Sequence, residues 1–368
     1  MSPSPFPPWS DSLRSVPPPS SPTPLPLRTR LVVAALSIGL GVVAVEGLLQ
    51  LASLGALPHL ALFESRLDGT IGLQADSSMA LRRPDGGRYT VRTNAVGLRV
   101  EDGVGSVSPG VSPWLVVGDS QVLGMGVEAV DTFAARLGMR NAGVPGHGIA
   151  DAVLEAERRV PDADPPVEGL VVVVNQANDW DEGLRTIGER YEVAHGRLIR
   201  RTATDGLGQR FWRSRLPTSQ LLYYAAMVTT ALTRPEDPAP EWLVDPAGQS
   251  AVSAELGGSL DALAQALAPT PVIVAFLPVD VATSEARVPN SPFGQHGVPG
   301  QPPWTDTSLR DQLQSELEHC GFVDLLPSLR DHPEAFLEHD YHLSPDGHRR
   351  VATTLAPLLT QAAPQVAP

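Results

Sequence analysis

The chain has 368 residues, 42% of them apolar and 18% charged, which suits a globular protein with a sizeable core. Twenty-seven basic against 41 acidic residues give a net charge of −14, which argues against a nucleic-acid partner, because phosphate binding needs dense Arg and Lys. The single cysteine, Cys320, excludes an internal disulfide framework and any Cys-rich zinc or iron–sulfur site.

In chain order, residues 1–30 come first and hold ten of the 37 prolines, including the run Pro17-Pro18-Pro19. A segment of this composition cannot bury enough apolar surface to offset chain entropy, so a disordered Pro/Ser-rich tail is expected. Residues 31–53 are almost wholly apolar, with Glu46 as the only formal charge between Leu31 and Phe63. Roughly twenty such residues span a bilayer core, so this segment is expected to be a transmembrane anchor helix. Arg14, Arg28 and Arg30 precede it and no Lys or Arg follows until Arg66. The positive-inside rule then puts the tail in the cytoplasm and the rest of a single-pass cell-membrane protein outside, periplasmic or extracellular. Ser53-Leu54-Gly55 has the small residues of a cleavage site, but the long apolar run favours an uncleaved anchor. Residues 54–110 mix Gly, Arg, Asp and Ser around a strand-like Arg88–Arg92, as expected of a stalk and lead-in segment.

From residue 111 to 362 the pattern alternates. Short apolar strands are predicted at Trp114–Gly118, Gly138–Gly143, Leu170–Asn175, Val272–Leu277 and Phe322–Leu326. Helical spacing falls at Thr132–Leu137, Ile149–Val160, Ser253–Leu267, Thr307–Glu318 and Pro345–Leu359, the last with Ser344 as its N-cap. This alternation predicts an α/β fold with a parallel sheet and helices on both faces. Two stretches fall outside it, Asp181–Asp245 and Val279–Asp306, and both are expected near the strand ends where substrate contacts are built.

Ligands on such sheets bind beyond the carboxyl ends of the strands. There the sequence places Gly118-Asp119-Ser120, Asn141-Ala-Gly-Val-Pro-Gly146, Asn178-Asp179 and Asp340-Tyr-His342. A hydroxyl, a Gly turn, an amide and an Asp/His pair on one rim make the inventory of a serine nucleophile, its base, the base's orienter and an oxyanion hole. Taken singly, Ser120 reads as a helix cap, Asn178 and Gly146 as turn residues, and Asp340 with His342 as a surface pair.

Together these blocks resemble the SGNH hydrolases, also called GDSL-type esterases and lipases, over about Trp114 to Leu359. The resemblance implies a three-layer α/β/α, flavodoxin-like sheet, with Ser120 as nucleophile, His342 as base and Asp340 as its orienter. It implies oxyanion donors from Ser120, Gly146 and the Asn178 amide, with Asp119 and Asp179 in support and no cofactor or metal. Thr93-Asn-Ala-Val-Gly-Leu-Arg99 is similar to a lead-in found in membrane-anchored, exported members. Three features depart from the family pattern. Gln121 stands where Leu is common, a position expected not to touch the chemistry. Gln176 stands where Gly is frequent, and Asp340 and His342 are separated by one residue where many members have two. Glu338 is the fallback for the acid, although an extended backbone would put Asp340 and His342 on one face. His348 fits a structural role, and His339, His342 and His348 lack metal-ligand spacing.

The expected activity is hydrolysis of short O-acyl esters outside the membrane. The partners expected are an acyl-ester substrate, including an acylated glycan, and the membrane through residues 31–53. The alternatives are a polysaccharide O-acetyltransferase that uses the same acyl-enzyme, and a non-catalytic binding module. Arg197, Arg200, Arg201, Arg210, Arg213 and Arg215 with Phe211 and Trp212 form a basic-aromatic patch, expected as a solvated helix flank. The loop Pro289–Trp304 is either a lid or an ordinary connection.

Overall fold

The computed structural model describes residues 26–53, 56, 59–101, 113–201, 219–222, 240, 242, 245–294 and 307–362. Residues 1–25 of the expected Pro-rich tail, Arg210–Arg215 with Phe211 and Trp212 of the basic-aromatic patch, and residues 295–304 of the Pro289–Trp304 loop lie outside these residues. The chain divides into two compact units, residues 1–48 and 49–368.

Helix α1 (Leu27–Ser53) begins four residues ahead of the expected segment and so includes Arg28 and Arg30. Its apolar side chains, among them Leu36, Leu40 and Val43, are exposed all round. Among the described residues it is the one helix long and apolar enough to cross a membrane.

The second unit opens with two antiparallel hairpins. Strand β1 (Phe63–Ser65) pairs with β2 (Ile71–Leu73), and β3 (Ser78–Arg82) with β4 (Arg88–Arg92). Phe63, Ile71, Leu81 and Tyr89 share a core with Leu123, Val144 and Ile187. The segment expected as a stalk therefore packs, over residues 59–101, against the loops that follow the first two parallel strands.

Those parallel strands are β5 (Trp114–Gly118), β6 (Arg140–Gly143), β7 (Gly169–Asn175), β10 (Val272–Leu277) and β11 (Gly321–Asp324). Between β7 and β10 lies the hairpin β8 (Tyr191–Ala194) and β9 (Arg197–Arg200), a sheet of its own. The five-stranded sheet runs β11-β10-β7-β5-β6 with every pairing parallel. Alternate side chains point to opposite faces of a strand, and here both faces are buried. Leu115, Val117 and Val172 pack against α4 (Ile149–Arg159) and α7 (Ser250–Ala266). Val116, Val171 and Ala275 pack on the other side, against α3 (Phe133–Arg136) and α10 (Pro345–Ala362). Every residue of β7 is buried, which is why this strand reads as a continuous apolar run.

The remaining helices are short, apart from α8 (Ser308–Ser315), which packs under α7. They are α2 (Ser120–Leu123), α5 (Asp179–Glu182), α6 (Ile187–Arg190) and α9 (Leu326–Leu329). Ser344 caps α10, its hydroxyl accepting the Gly347 N–H at 3.3 Å. Arg197 and Arg200 lie on strand β9 rather than on a helix, because residues 191–200 pair as a hairpin, and the Arg197 side chain is buried.

Candidate active site

Strand β5 delivers Ser120 to the start of α2, with Asp119 as the N-cap. This helix is a single turn, and such a turn does not persist without outside partners. At its N-terminus the Asp119 Oδ1 accepts the Gln121 N–H at 2.8 Å. Beyond, the Asn141 amide donates to the Val122 carbonyl at 2.8 Å. The buried Arg99 guanidinium donates to the carbonyls of Leu123 and, at 2.6 Å each, of Gly124 and Val127. The lead-in motif thus ends in the side chain that holds the far end of this turn. Burial brings the Arg99 pKa down to about 10, still charged at neutral pH. The helix lies so close to β6 that a Cβ on Gly143 would fall 2.1 Å from the Leu123 nitrogen.

Opposite Ser120, a tight turn between the short 3-10 helix at Pro333–Ala335 and α10 carries Asp340 and His342. The extended backbone expected there is absent: Leu337 N–H donates to the His342 carbonyl at 2.8 Å, and the segment curls on itself. The two side chains meet all the same. His342 Nδ1 lies 2.6 Å from Asp340 Oδ1, and His342 Nε2 lies 2.8 Å from Ser120 Oγ. The Asp340 Oδ1 also accepts the His342 backbone N–H at 3.2 Å, a contact that the one-residue spacing allows. Burial of Asp340 opposes its charge, but the hydrogen bond and charge of His342 outweigh burial and lower its pKa. Glu338 is exposed and pairs with His339 at 3.7 Å instead.

The acidic turn is clamped from the loop after β10. Arg287 donates to the carbonyls of Leu337 at 2.9 Å and Asp340 at 2.6 Å, and its guanidinium is anchored on the buried Asp280 at 3.1 Å. Burial raises the Asp280 pKa despite that partner. An aromatic run reaches the same turn: Trp242 meets Phe293 edge-on at 5.7 Å, Phe293 meets Tyr341 at 5.4 Å, and Tyr341 stacks on His342 at 4.5 Å. Burial, then the charges of Asp119 and Asp340, push the Tyr341 phenol up. Trp242 and Phe293 come from the two stretches expected near the strand ends, but neither was singled out by the sequence pattern.

Asp119 is the hub on the other side. Its Oδ2 accepts from the amides of Asn175 at 2.7 Å and Asn178 at 3.0 Å. A side-chain amide has two N–H groups, so Asn178 keeps one beyond that bond. Gly146 has φ +84, a conformation that favours glycine, and its carbonyl is held by Arg190 at 2.6 Å. Among the described residues, no carbonyl or side chain takes the N–H of Ser120 or Gly146. Asp179 is buried and accepts the Asn175 N–H at 2.6 Å; burial, then the Asp119 charge, push its carboxyl well above the usual range. Gln176 accepts the Val279 N–H at 3.1 Å, tying the end of β7 to the end of β10.

A hydroxyl hydrogen-bonded to an imidazole that is itself oriented by a carboxylate is an arrangement that can deliver an activated oxygen nucleophile. Among the described residues no group of three or more His, Cys, Asp or Glu side chains could hold a metal ion. No protein-family model and no curated protein matches the chain.

Proposed function

We propose that the chain is a serine esterase of the SGNH type, built on a three-layer, flavodoxin-like α/β/α body and anchored through α1 with that body outside the cytoplasmic membrane. One observation carries the reading: Asp340, His342 and Ser120 form a continuous hydrogen-bonded chain at 2.6 and 2.8 Å. The parallel sheet order, with β5 between β6 and β7, is that of flavodoxin-like sheets and supports it.

In this mechanism His342 Nε2 takes the Ser120 proton as Oγ attacks the ester carbonyl, and Asp340 stabilises the imidazolium. The developing oxyanion is received by the N–H groups of Ser120 and Gly146 and the remaining Asn178 N–H. Loss of one such donor typically costs about a hundred- to a thousandfold in rate. The imidazolium then protonates the leaving alcohol. Water, deprotonated by the same base, releases the acid and restores Ser120.

Ser120→Ala is expected to lower kcat/KM for p-nitrophenyl acetate by about 10⁴-fold or more and to abolish labelling by a fluorophosphonate probe. Retained hydrolysis in that variant sinks the assignment. Assays with an oligosaccharide acceptor separate hydrolysis from acyl transfer by the mass gained on the sugar.

A further inference from the structure

Gln121 follows the proposed nucleophile directly and is buried between α2 and the turn that carries His342. Its Nε2 donates to the Tyr341 carbonyl at 3.0 Å, and its Oε1 accepts the Leu343 N–H at 3.0 Å. Those are the backbone groups on either side of His342, so the side-chain amide copies one rung of a strand pairing. Chemistry fixes its orientation, because a flipped amide would set carbonyl against carbonyl and N–H against N–H. The backbone of Gln121 is itself pinned by Asp119 Oδ1 at 2.8 Å. With the Ser120–His342 bond, these two hydrogen bonds tie α2 to the His342 turn.

We infer that Gln121 is a positioning residue that sets the distance between Ser120 Oγ and His342 Nε2. The inference rests on the esterase reading. Ser120 and His342 are 222 residues apart and belong to different elements, so their spacing depends on what locks those elements together. Proton transfer needs the two atoms at about 2.6–3.2 Å, and a displacement of about 1 Å costs on the order of a hundredfold in rate. The position that departs from the family's Leu thus holds the base in register without touching the reacting atoms.

Two variants of the full chain in detergent test this, with Ser120→Ala alongside. Gln121→Met keeps the length and removes both hydrogen bonds. It is expected to lower kcat for p-nitrophenyl acetate by about ten- to a hundredfold with KM within about twofold. Gln121→Glu can make both bonds only as the neutral acid, whose O–H donates to Tyr341. The Asp119 carboxylate that pins the residue-121 backbone and the Asp340 carboxylate on the facing turn favour that neutral form, while a protonated His342 opposes it. The ratio of Gln121→Glu to wild-type kcat should therefore be highest at acid pH and fall as the carboxyl ionises, the new charge also favouring the protonated imidazole and so adding to the fall. A Gln121→Met kcat equal to wild type, or a reduced Gln121→Glu ratio that is flat with pH, overturns the positioning role while Ser120→Ala stays inactive. Activity in Ser120→Ala overturns the esterase reading and this inference with it. If Gln121→Met does not fold, the Gln121→Glu profile decides.

Discussion

His342 and His348 lie six residues apart and have opposite fates. The first shares its ring nitrogens between Asp340 and Ser120. The second is fully buried in α10, stacks on Phe133 at 5.7 Å and accepts the Phe133 N–H on Nδ1 at 3.3 Å. Burial, then the charges of Arg99 and Arg136, bring the His348 pKa down to about 3. The unfolded chain takes up that proton near pH 6.5, so between these values the unfolded state binds more protons and stability drops as the pH is lowered. The expected slope is about 1.4 kcal/mol per pH unit, or about 2 kcal/mol between pH 7 and pH 5. Urea titrations should show His348→Phe removing that part of the difference, and an unchanged difference would clear His348 of it. Ser120, Asp340 and His342 were legible in the sequence because their chemistry is in the side chain and their places follow strands or precede a capped helix. Gln121 and Arg287 were not. Their partners are backbone carbonyls and an N–H of the 337–343 turn, and no residue-type pattern encodes such pairings.

At the scale of elements, the five parallel strands were legible because strands buried on both faces leave apolar runs such as Val171–Val174. The final strand, expected over Phe322–Leu326, runs Gly321–Asp324: the exposed Gly321 hides its start, and the apolar Leu325 and Leu326 belong to the start of α9. The hairpins were mostly missed: β1, β2, β8 and β9 are three or four residues long, too short for alternation to register. The lead-in motif was visible only as a likeness; its physical role emerges when Arg99 is seen closing off α2. Replacing Arg99 by Met leaves the carbonyls of Leu123, Gly124 and Val127 buried without that donor. The expected loss is about 3 kcal/mol or more, seen as a lowered thermal midpoint together with slower fluorophosphonate labelling of Ser120. A variant with an unchanged midpoint and labelling rate would show that the turn holds its shape without Arg99.

For the whole molecule, α1 sets the first expectation. Its exposed apolar surface should keep the full chain in the membrane fraction through alkaline carbonate washing, and deletion of residues 27–53 should release the protein to the supernatant. Full-length protein that stays in solution without detergent would refute the anchor. A second consequence lies in the strand order. Strand β5 is synthesised before the other strands of the parallel sheet, β6 and β7 emerge next and flank it, and β10 and β11 then extend one edge in turn. The sheet can thus grow outward as the nascent chain lengthens, always adding to an edge that already exists. The turn bearing His342 leaves the ribosome after all five strands. Any copy that is stalled, clipped or prematurely terminated before residue 342 carries Ser120 without the imidazole that meets it in the finished fold, so on the proposed esterase reading an unfinished chain would be chemically silent toward esters.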